Sequence, residues 1–163
     1  MDKKEEFISA IKANEGLIYK MASIYTNNID DRNDLVQEII YQLWKSFDSF
    51  NQNASLSTWM YRVAMNVAIY QLKTAKRKIF TVPLEGQLLD FCEVENNDFE
   101  EKLQILRQHL DHLNLLDKGI IMLYLENKSY EEIAQIVGIS ESNVGTKISR
   151  IKEKLRKRIA KKN

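Results

Sequence analysis

The 163-residue chain is 44% hydrophobic and 29% charged, with one proline, five glycines and one cysteine. That composition excludes a disordered chain, a disulfide-stapled secreted module and a turn-rich β fold. No window approaches the roughly 18 consecutive apolar residues of a membrane span, and the start Met1-Asp2-Lys3-Lys4-Glu5-Glu6 lacks the apolar core of a signal peptide, so a cytoplasmic protein without membrane insertion is expected.

The net charge of +1 conceals an asymmetry. Residues 70–80 carry four basic and no acidic groups, residues 81–117 two basic and nine acidic, and residues 118–163 eleven basic and five acidic. Two basic stretches thus bracket an acidic one, a pattern that suits two nucleic-acid contacts joined by a segment that DNA repels.

In chain order, apolar periodicity predicts helices over Lys3–Ala13, Glu15–Tyr25, Asp31–Phe47, Ser57–Lys78, Phe99–Leu113, Lys118–Glu126, Tyr130–Val137 and Glu141–Arg158. In the third, Leu35, Val36, Ile39, Ile40, Leu43, Trp44 and Phe47 form one stripe at a 3.6-residue period, with Asp30 as the expected N-cap. Asp34, Gln37 and Glu38 are expected on the opposite, solvated face. In the fourth, Leu56, Trp59, Met60, Val63, Ala64 and Val67 make the expected buried stripe, Trp59 included, with Ser55 or Ser57 as cap. The polar loop Asp48–Ser57 joins the two helices.

Between residues 79 and 98 the period fails. Pro83, Gly86 and the run Glu93-Val94-Glu95-Asn96-Asn97-Asp98 predict an acidic linker; Leu84, Leu88, Leu89 and Phe91 suit a short helix within it or transient docking on a partner. The expected organisation is all-α: two small helical domains, residues 1–78 and 99–163, joined by the linker 79–98.

The second domain holds the strongest local motif, Ser129 through Val144. Ser129 with Glu132 is a capping box. Ala134 is small where two helices cross, and Gly138 ends the first helix in the left-handed conformation. Ile139 plugs the turn and Ser140 caps the next helix. Val144, Ile148, Ile151 and Leu155 then form a buried stripe, while Glu141, Ser142, Asn143, Gly145, Thr146, Lys147, Ser149 and Arg150 occupy the other faces. A helix-turn-helix presents its second helix to the major groove in this way, and residues 147–163, with nine basic groups against one Glu, suit phosphate contact. His109 and His112 stand three apart without a third ligand in the pattern, Cys92 is alone, and no phosphate loop, metalloprotease motif or nucleophile elbow is present. No enzyme activity, metal or cofactor is expected.

The segment Asp34-Leu35-Val36-Gln37-Glu38, then Trp44, Phe47, Phe50, then Ser57-Thr58-Trp59-Met60-Tyr61-Arg62-Val63-Ala64 and Asn66, resembles region 2 of bacterial RNA polymerase sigma factors. The run from Leu113 to Arg158 resembles region 4. With only a short acidic linker between them, the pair resembles the extracytoplasmic-function subfamily. The resemblance implies a promoter-recognition subunit. Asp34, Gln37 and Glu38 would dock on the clamp of the largest subunit of core RNA polymerase. The loop containing Phe50 would capture a base of single-stranded promoter DNA. Phe50, Tyr61, Asn66, Tyr70, Lys73, Lys76 and Arg77, with Lys78, would meet the downstream (−10) element. Glu141, Ser142, Asn143, Gly145, Thr146, Lys147, Ser149 and Arg150 would read the upstream (−35) element of duplex DNA, with the same domain touching the polymerase flap. The linker would thread toward the active-site channel, its acidity mimicking nucleic acid. An anti-sigma factor is a further implied partner.

The chain departs from the family pattern at Tyr70, where Asp is common, at Lys73, where Arg is common and makes the better bidentate donor, and at Asn114, where Pro is common. Gly145, within Asn143-Val144-Gly145-Thr146-Lys147, removes a long basic side chain; this variant resembles sigma factors of Bacteroidetes-type bacteria. The alternative is a helix-turn-helix regulator that binds a palindromic site without polymerase.

Overall fold

The computed structural model describes residues 2–74 and 97–162. The described residues form eight α-helices and a short 3-10 helix, with no strand, in two compact units. The fold is all-α, as expected. The linker expected at 79–98 lies outside the described residues except for its last two, Asn97 and Asp98, which begin a helix. Pro83, Leu84, Gly86, Leu88, Leu89, Phe91, Cys92 and the acidic residues between 85 and 95 therefore lie outside it too, as do Lys76, Arg77 and Lys78.

The first unit comprises α1 (Lys3–Ala13), α2 (Glu15–Ile24), α3 (Ile29–Ser46), the 3-10 helix Phe47–Ser49 and α4 (Leu56–Thr74). Asp2 caps α1, its carboxylate accepting from the Glu5 N–H at 2.8 Å. Asn28, not Asp30, caps α3: its side-chain oxygen accepts from the Asp31 N–H at 2.8 Å while its amide donates to the Asp31 carboxylate at 2.9 Å. Ser55 caps α4 by accepting from the Thr58 N–H at 3.1 Å.

Helices α2, α3 and α4 pack on one another through Ile18, Met21, Ala22, Val36, Ile39, Leu43, Met60 and Ala64, all fully or almost fully buried, and Phe7 and Ile11 of α1 join the same core. One cation lies inside. Arg32 is 2% exposed, donates to the Tyr19 hydroxyl and stands 5.0 Å from the centre of the Tyr19 ring, so its charge is not left without polar contact.

The buried face of α4 is rotated from the expected one. Met60 and Ala64 are inside as predicted, but Thr58, Tyr61, Met65 and Ala68 join them, and Leu56, Trp59, Val63 and Val67 are half-buried. Two apolar seams run along this helix, and the one with the small Ala64 and Ala68 admits the closer approach of a neighbouring helix.

The second unit comprises α5 (Asn97–Leu110), α6 (Leu115–Leu125), α7 (Tyr130–Val137) and α8 (Glu141–Lys162). Helix α6 starts three residues earlier than periodicity suggested, because Asn114 accepts from the Asp117 N–H at 2.8 Å and fixes the first turn there. Leu110, Ile120, Leu123, Ile133, Ile136, Val144, Ile148 and Ile151 make the core.

The Ser129–Glu132 capping box forms in full: the Ser129 hydroxyl accepts from the Glu132 N–H and the Glu132 carboxylate accepts from the Ser129 N–H, both at 3.1 Å. Hydrogen bonding to the carboxylate from Ser129, by its backbone N–H first and its side chain second, holds the Glu132 carboxyl below its ordinary value. Because the folded value lies below the unfolded one, this contribution is present above the unfolded carboxylate range and is lost as pH falls through the folded value. Ser129→Ala is expected to cost about 1 kcal/mol at neutral pH, and Glu132→Gln to flatten the loss of stability on acidification; thermal melts of both variants across acid pH check this. No helix among the described residues is long and apolar enough to cross a membrane.

Candidate nucleic-acid interface

In the first unit, α3 passes through the 3-10 helix Phe47–Ser49 into the loop that leads to Ser55. Five aromatic side chains, Phe7, Trp44, Phe47, Phe50 and Trp59, form a chain of ring contacts that joins this loop to α1 and α4. Phe7 meets Trp44 and Phe47 edge-on at centroid distances of 5.1 and 5.3 Å. Phe47 lies 6.3 Å from Trp59, and Trp59 lies 5.1 Å from Phe50 with 31° between ring planes. Trp59 was expected in the core. It is half-buried instead and backs Phe50, because the rotation of α4 turns it toward the loop.

Beyond Phe50 the polar residues Asn51, Gln52 and Asn53 are exposed, and Gln52 takes a left-handed φ of 63°, a conformation that β-carbon-bearing residues adopt rarely. A cavity of about 450 Å3 between α1 and the loop is lined by Lys3, Glu6, Phe47, Asp48, Phe50 and Gln52 among others, and Lys3 ion-pairs with Asp48 at 2.9 Å. Half-buried aromatic faces beside exposed amides are the chemistry that stacks and holds an unpaired base.

Along α4, Asn66, Tyr70 and Lys73 are exposed at i, i+4 and i+7, which puts them on one face. Tyr61 is not on it. Its ring is 5% exposed and belongs to the core, a consequence of the same rotation.

On α3 the expected polar face is smaller than predicted. Asp34 is exposed and Gln37 half-buried, but Glu38 is 4% exposed and accepts from the Gln42 amide at 3.0 Å. Neighbours crowd this helix around most of its circumference: Arg32, Leu35, Val36, Glu38, Ile39, Ile40 and Leu43 are all buried. Its solvated strip is therefore too narrow to include position 38.

In the second unit, α7 ends at Gly138, whose φ of 83° supplies the left-handed turn. Ser140 then caps α8 by accepting from the Asn143 N–H at 3.1 Å. Glu141, Ser142, Asn143, Thr146, Ser149 and Arg150 are exposed on α8, and the Thr146 hydroxyl donates to the Ser142 carbonyl at 3.1 Å.

Two residues expected on this face turn toward the protein. Gly145 is half-buried, and a β-carbon there would meet the Tyr130 ring at 3.4 Å. Lys147 ion-pairs with Asp117 of α6 at 3.6 Å. Neither contact is visible in sequence, since both partners come from other helices. Further along α8, Lys152 donates to the Tyr124 hydroxyl at 2.7 Å and lies 4.3 Å from that ring's centre, whereas Lys154, Arg156 and Lys157 are exposed.

Burial, followed by the charges of Arg158 and Lys154, holds the His112 imidazole below its ordinary value. Among the described residues no group of three His, Cys, Asp or Glu side chains comes together to hold a metal.

Residues 10–78 match the Sigma-70 region 2 family, and residues 103–155 match the Sigma-70, region 4 family. Over 149 residues the chain is 30% identical to the ECF RNA polymerase sigma-E factor of Escherichia coli (strain K12), covering 83% of this chain and 78% of that protein. It is 28% identical over 159 residues to RNA polymerase sigma factor SigV of Bacillus subtilis (strain 168), covering 97% of this chain and 93% of that one.

Two solved structures share the fold. One is CnrH in complex with the cytosolic domain of CnrY, with a TM-score of 0.71 at 17% identity over 99% of this chain and 92% of that one. The other is the sigma factor RpoE in complex with the anti-sigma factor NepR from Bartonella quintana, with a TM-score of 0.62 at 20% identity over 94% of each chain.

Proposed function

We propose, on the premise that this chain belongs to the extracytoplasmic-function sigma factors of the sigma-70 family, a division of labour between its two units. The chain is a sigma factor: it directs core RNA polymerase to promoters and starts transcription there. Residues 1–78 dock on the polymerase clamp and open the −10 element, residues 79–98 link, and residues 99–163 read the −35 element and touch the flap. The protein catalyses no reaction of its own and works in the cytoplasm.

The observation that carries this reading is the pairing, in one chain, of an aromatic-backed polar loop with a capped helix-turn-helix whose second helix is exposed and basic. The first suits unpaired bases and the second suits duplex DNA, and a promoter that must be melted presents both.

On the −10 side, Phe50 stacks on an unpaired base with Trp59 behind it, Asn66 and Tyr70 make polar contacts, and Lys73, Lys76 and Arg77 follow phosphates. Tyr61 acts from the core by holding α4 in place. On the −35 side, Glu141, Ser142, Asn143, Thr146, Ser149 and Arg150 face the groove. Gly145 seats α8 against Tyr130, and its presence supports a Bacteroidetes-type subgroup. An anti-sigma factor is the proposed negative regulator, a reading supported by the RpoE–NepR structure.

Asp34 and Gln37 carry the docking contact to the clamp, with Glu38 shaping α3 from inside. An exposed carboxylate of this kind steers association and sets orientation. The double variant Asp34→Ala, Gln37→Ala is expected to bind core polymerase about tenfold more weakly, equivalent to about 1.4 kcal/mol, with an unchanged melting temperature. Anisotropy of the labelled chain titrated with core enzyme measures this, and wild-type affinity in the double variant would remove α3 from the docking face.

A further inference from the structure

The sequence assigns Lys147 to DNA; the structure gives it another partner. Its ammonium lies 3.6 Å from the Asp117 carboxylate, whose side chain is 10% exposed against 35% for Lys147. This differs from the Lys157–Glu153 pair on the same helix, at 3.9 Å with side chains 74% and 62% exposed, which solvent and salt screen.

Asp117 occupies the third position of α6, where the helix dipole favours a carboxylate. Its Oδ1 is buried and has no hydrogen-bond donor among the described residues, so the lysine ion pair is its compensation. Moving Lys147 out to a phosphate would take from that buried carboxylate the cation that faces its Oδ1, which is unfavourable.

We infer that Asp117 withholds Lys147 from DNA: the ion pair anchors the second turn of α8 to α6, and the phosphates are met by exposed cations such as Arg150, Lys154 and Arg156. Asp117 is thus a positioning residue that limits the charge α8 offers to any duplex, and so limits binding without sequence preference. Lys152, held by Tyr124 of the same helix α6, extends the pattern. The inference rests on α8 being the DNA-binding helix.

The test is the salt dependence of binding by the full chain to a fluorescein-labelled duplex of mixed sequence, followed by anisotropy across a KCl series. Lys147→Met is expected to leave the slope of log affinity against log salt unchanged. Asp117→Asn is expected to steepen it by one phosphate contact, so that the loss of affinity between about 50 and 200 mM salt grows about 3.5-fold. Arg150→Ala is expected to make it shallower by a similar amount.

A shallower slope in Lys147→Met, or an unchanged slope in a folded Asp117→Asn, overturns the inference. Should Asp117→Asn fail to fold in a thermal melt, Lys147→Met still decides. If Arg150→Ala and a variant with Lys154 and Arg156 also replaced both bind as wild type does, the DNA-binding reading of α8 fails instead.

Discussion

Replacing Phe50 by alanine is expected to reduce open-complex formation on a duplex promoter by roughly 5- to 150-fold, the equivalent of the about 1–3 kcal/mol that one base–aromatic stack contributes. The argument starts from how strand separation is driven. A sigma factor supplies no chemical energy, so the unstacking of the first bases is offset by the contacts those bases find on the protein. The loop presents one aromatic ring backed by another, Phe50 on Trp59 at 5.1 Å, and the exposed side chains of Asn51, Gln52 and Asn53 beside them.

On a template already unpaired over the same bases the unstacking term is absent, so the variant is expected to recover most of its activity there. Trp59→Phe, which keeps a ring behind Phe50, is expected to lose less than Phe50→Ala. Permanganate reactivity of unpaired thymines on the two templates measures the difference. Equal loss on both would mean that docking or folding is damaged rather than melting, and full activity of Phe50→Ala on the duplex would remove Phe50 from the mechanism.

Phe7→Ala carries the largest expected effect on stability, about 3–5 kcal/mol. Phe7 is fully buried and makes two edge-on ring contacts, with Trp44 and Phe47, each contributing about 0.5–1.5 kcal/mol beyond its buried area. A small domain has about 5–15 kcal/mol in all, so the loss removes a large share of the first unit's stability. Phe7→Leu, which keeps most of the volume, is expected to cost less than half as much.

The chain divides into two compact units, so melting followed by hydrogen exchange should show α1 to α4 losing protection while α6 to α8 keep theirs. A cost under 1 kcal/mol, or an equal loss in both units, would contradict this account. The consequence for function follows from the same packing. Phe47, against which Phe7 rests, is also the neighbour of Trp59, so α1 supports the floor of the loop proposed to meet the unpaired strand.

The parts of this architecture governed by short-range chemistry were legible in the sequence. The turn between α7 and α8 is specified within a dozen residues, by the Ser129–Glu132 box, by Gly138 and by Ser140, and each forms the hydrogen bond or dihedral that its residue type predicts. The bounds of α1 and α7 match expectation for the same reason.

What sequence could not give was decided by residues from other helices. Two apolar seams compete along α4, and only its packing on α2 and α3 selects the one with Ala64 and Ala68. That choice moves Tyr61 inward and Trp59 toward the loop. Glu38 follows Asp34 by one turn, yet it is buried because α3 is enclosed on most sides. Lys147 and Gly145 sit amid exposed residues of α8, but Asp117 and Tyr130, brought near by the α6–α7–α8 arrangement, turn them inward. The N-cap of α3 went to Asn28 rather than Asp30 because Asn28 takes the extended conformation from which a side-chain oxygen reaches the Asp31 N–H.

The most direct measurement is run-off transcription from genomic promoter fragments of the source bacterium, using core RNA polymerase with and without the chain. Transcripts are predicted to require the chain, to start at sites with two separated, non-palindromic elements, and to be lost when Asp34 and Gln37 are both alanine. Transcription indifferent to the chain, combined with tight binding of the free protein to a palindrome, would contradict the account and mark the protein as a regulator that works without being a subunit of polymerase.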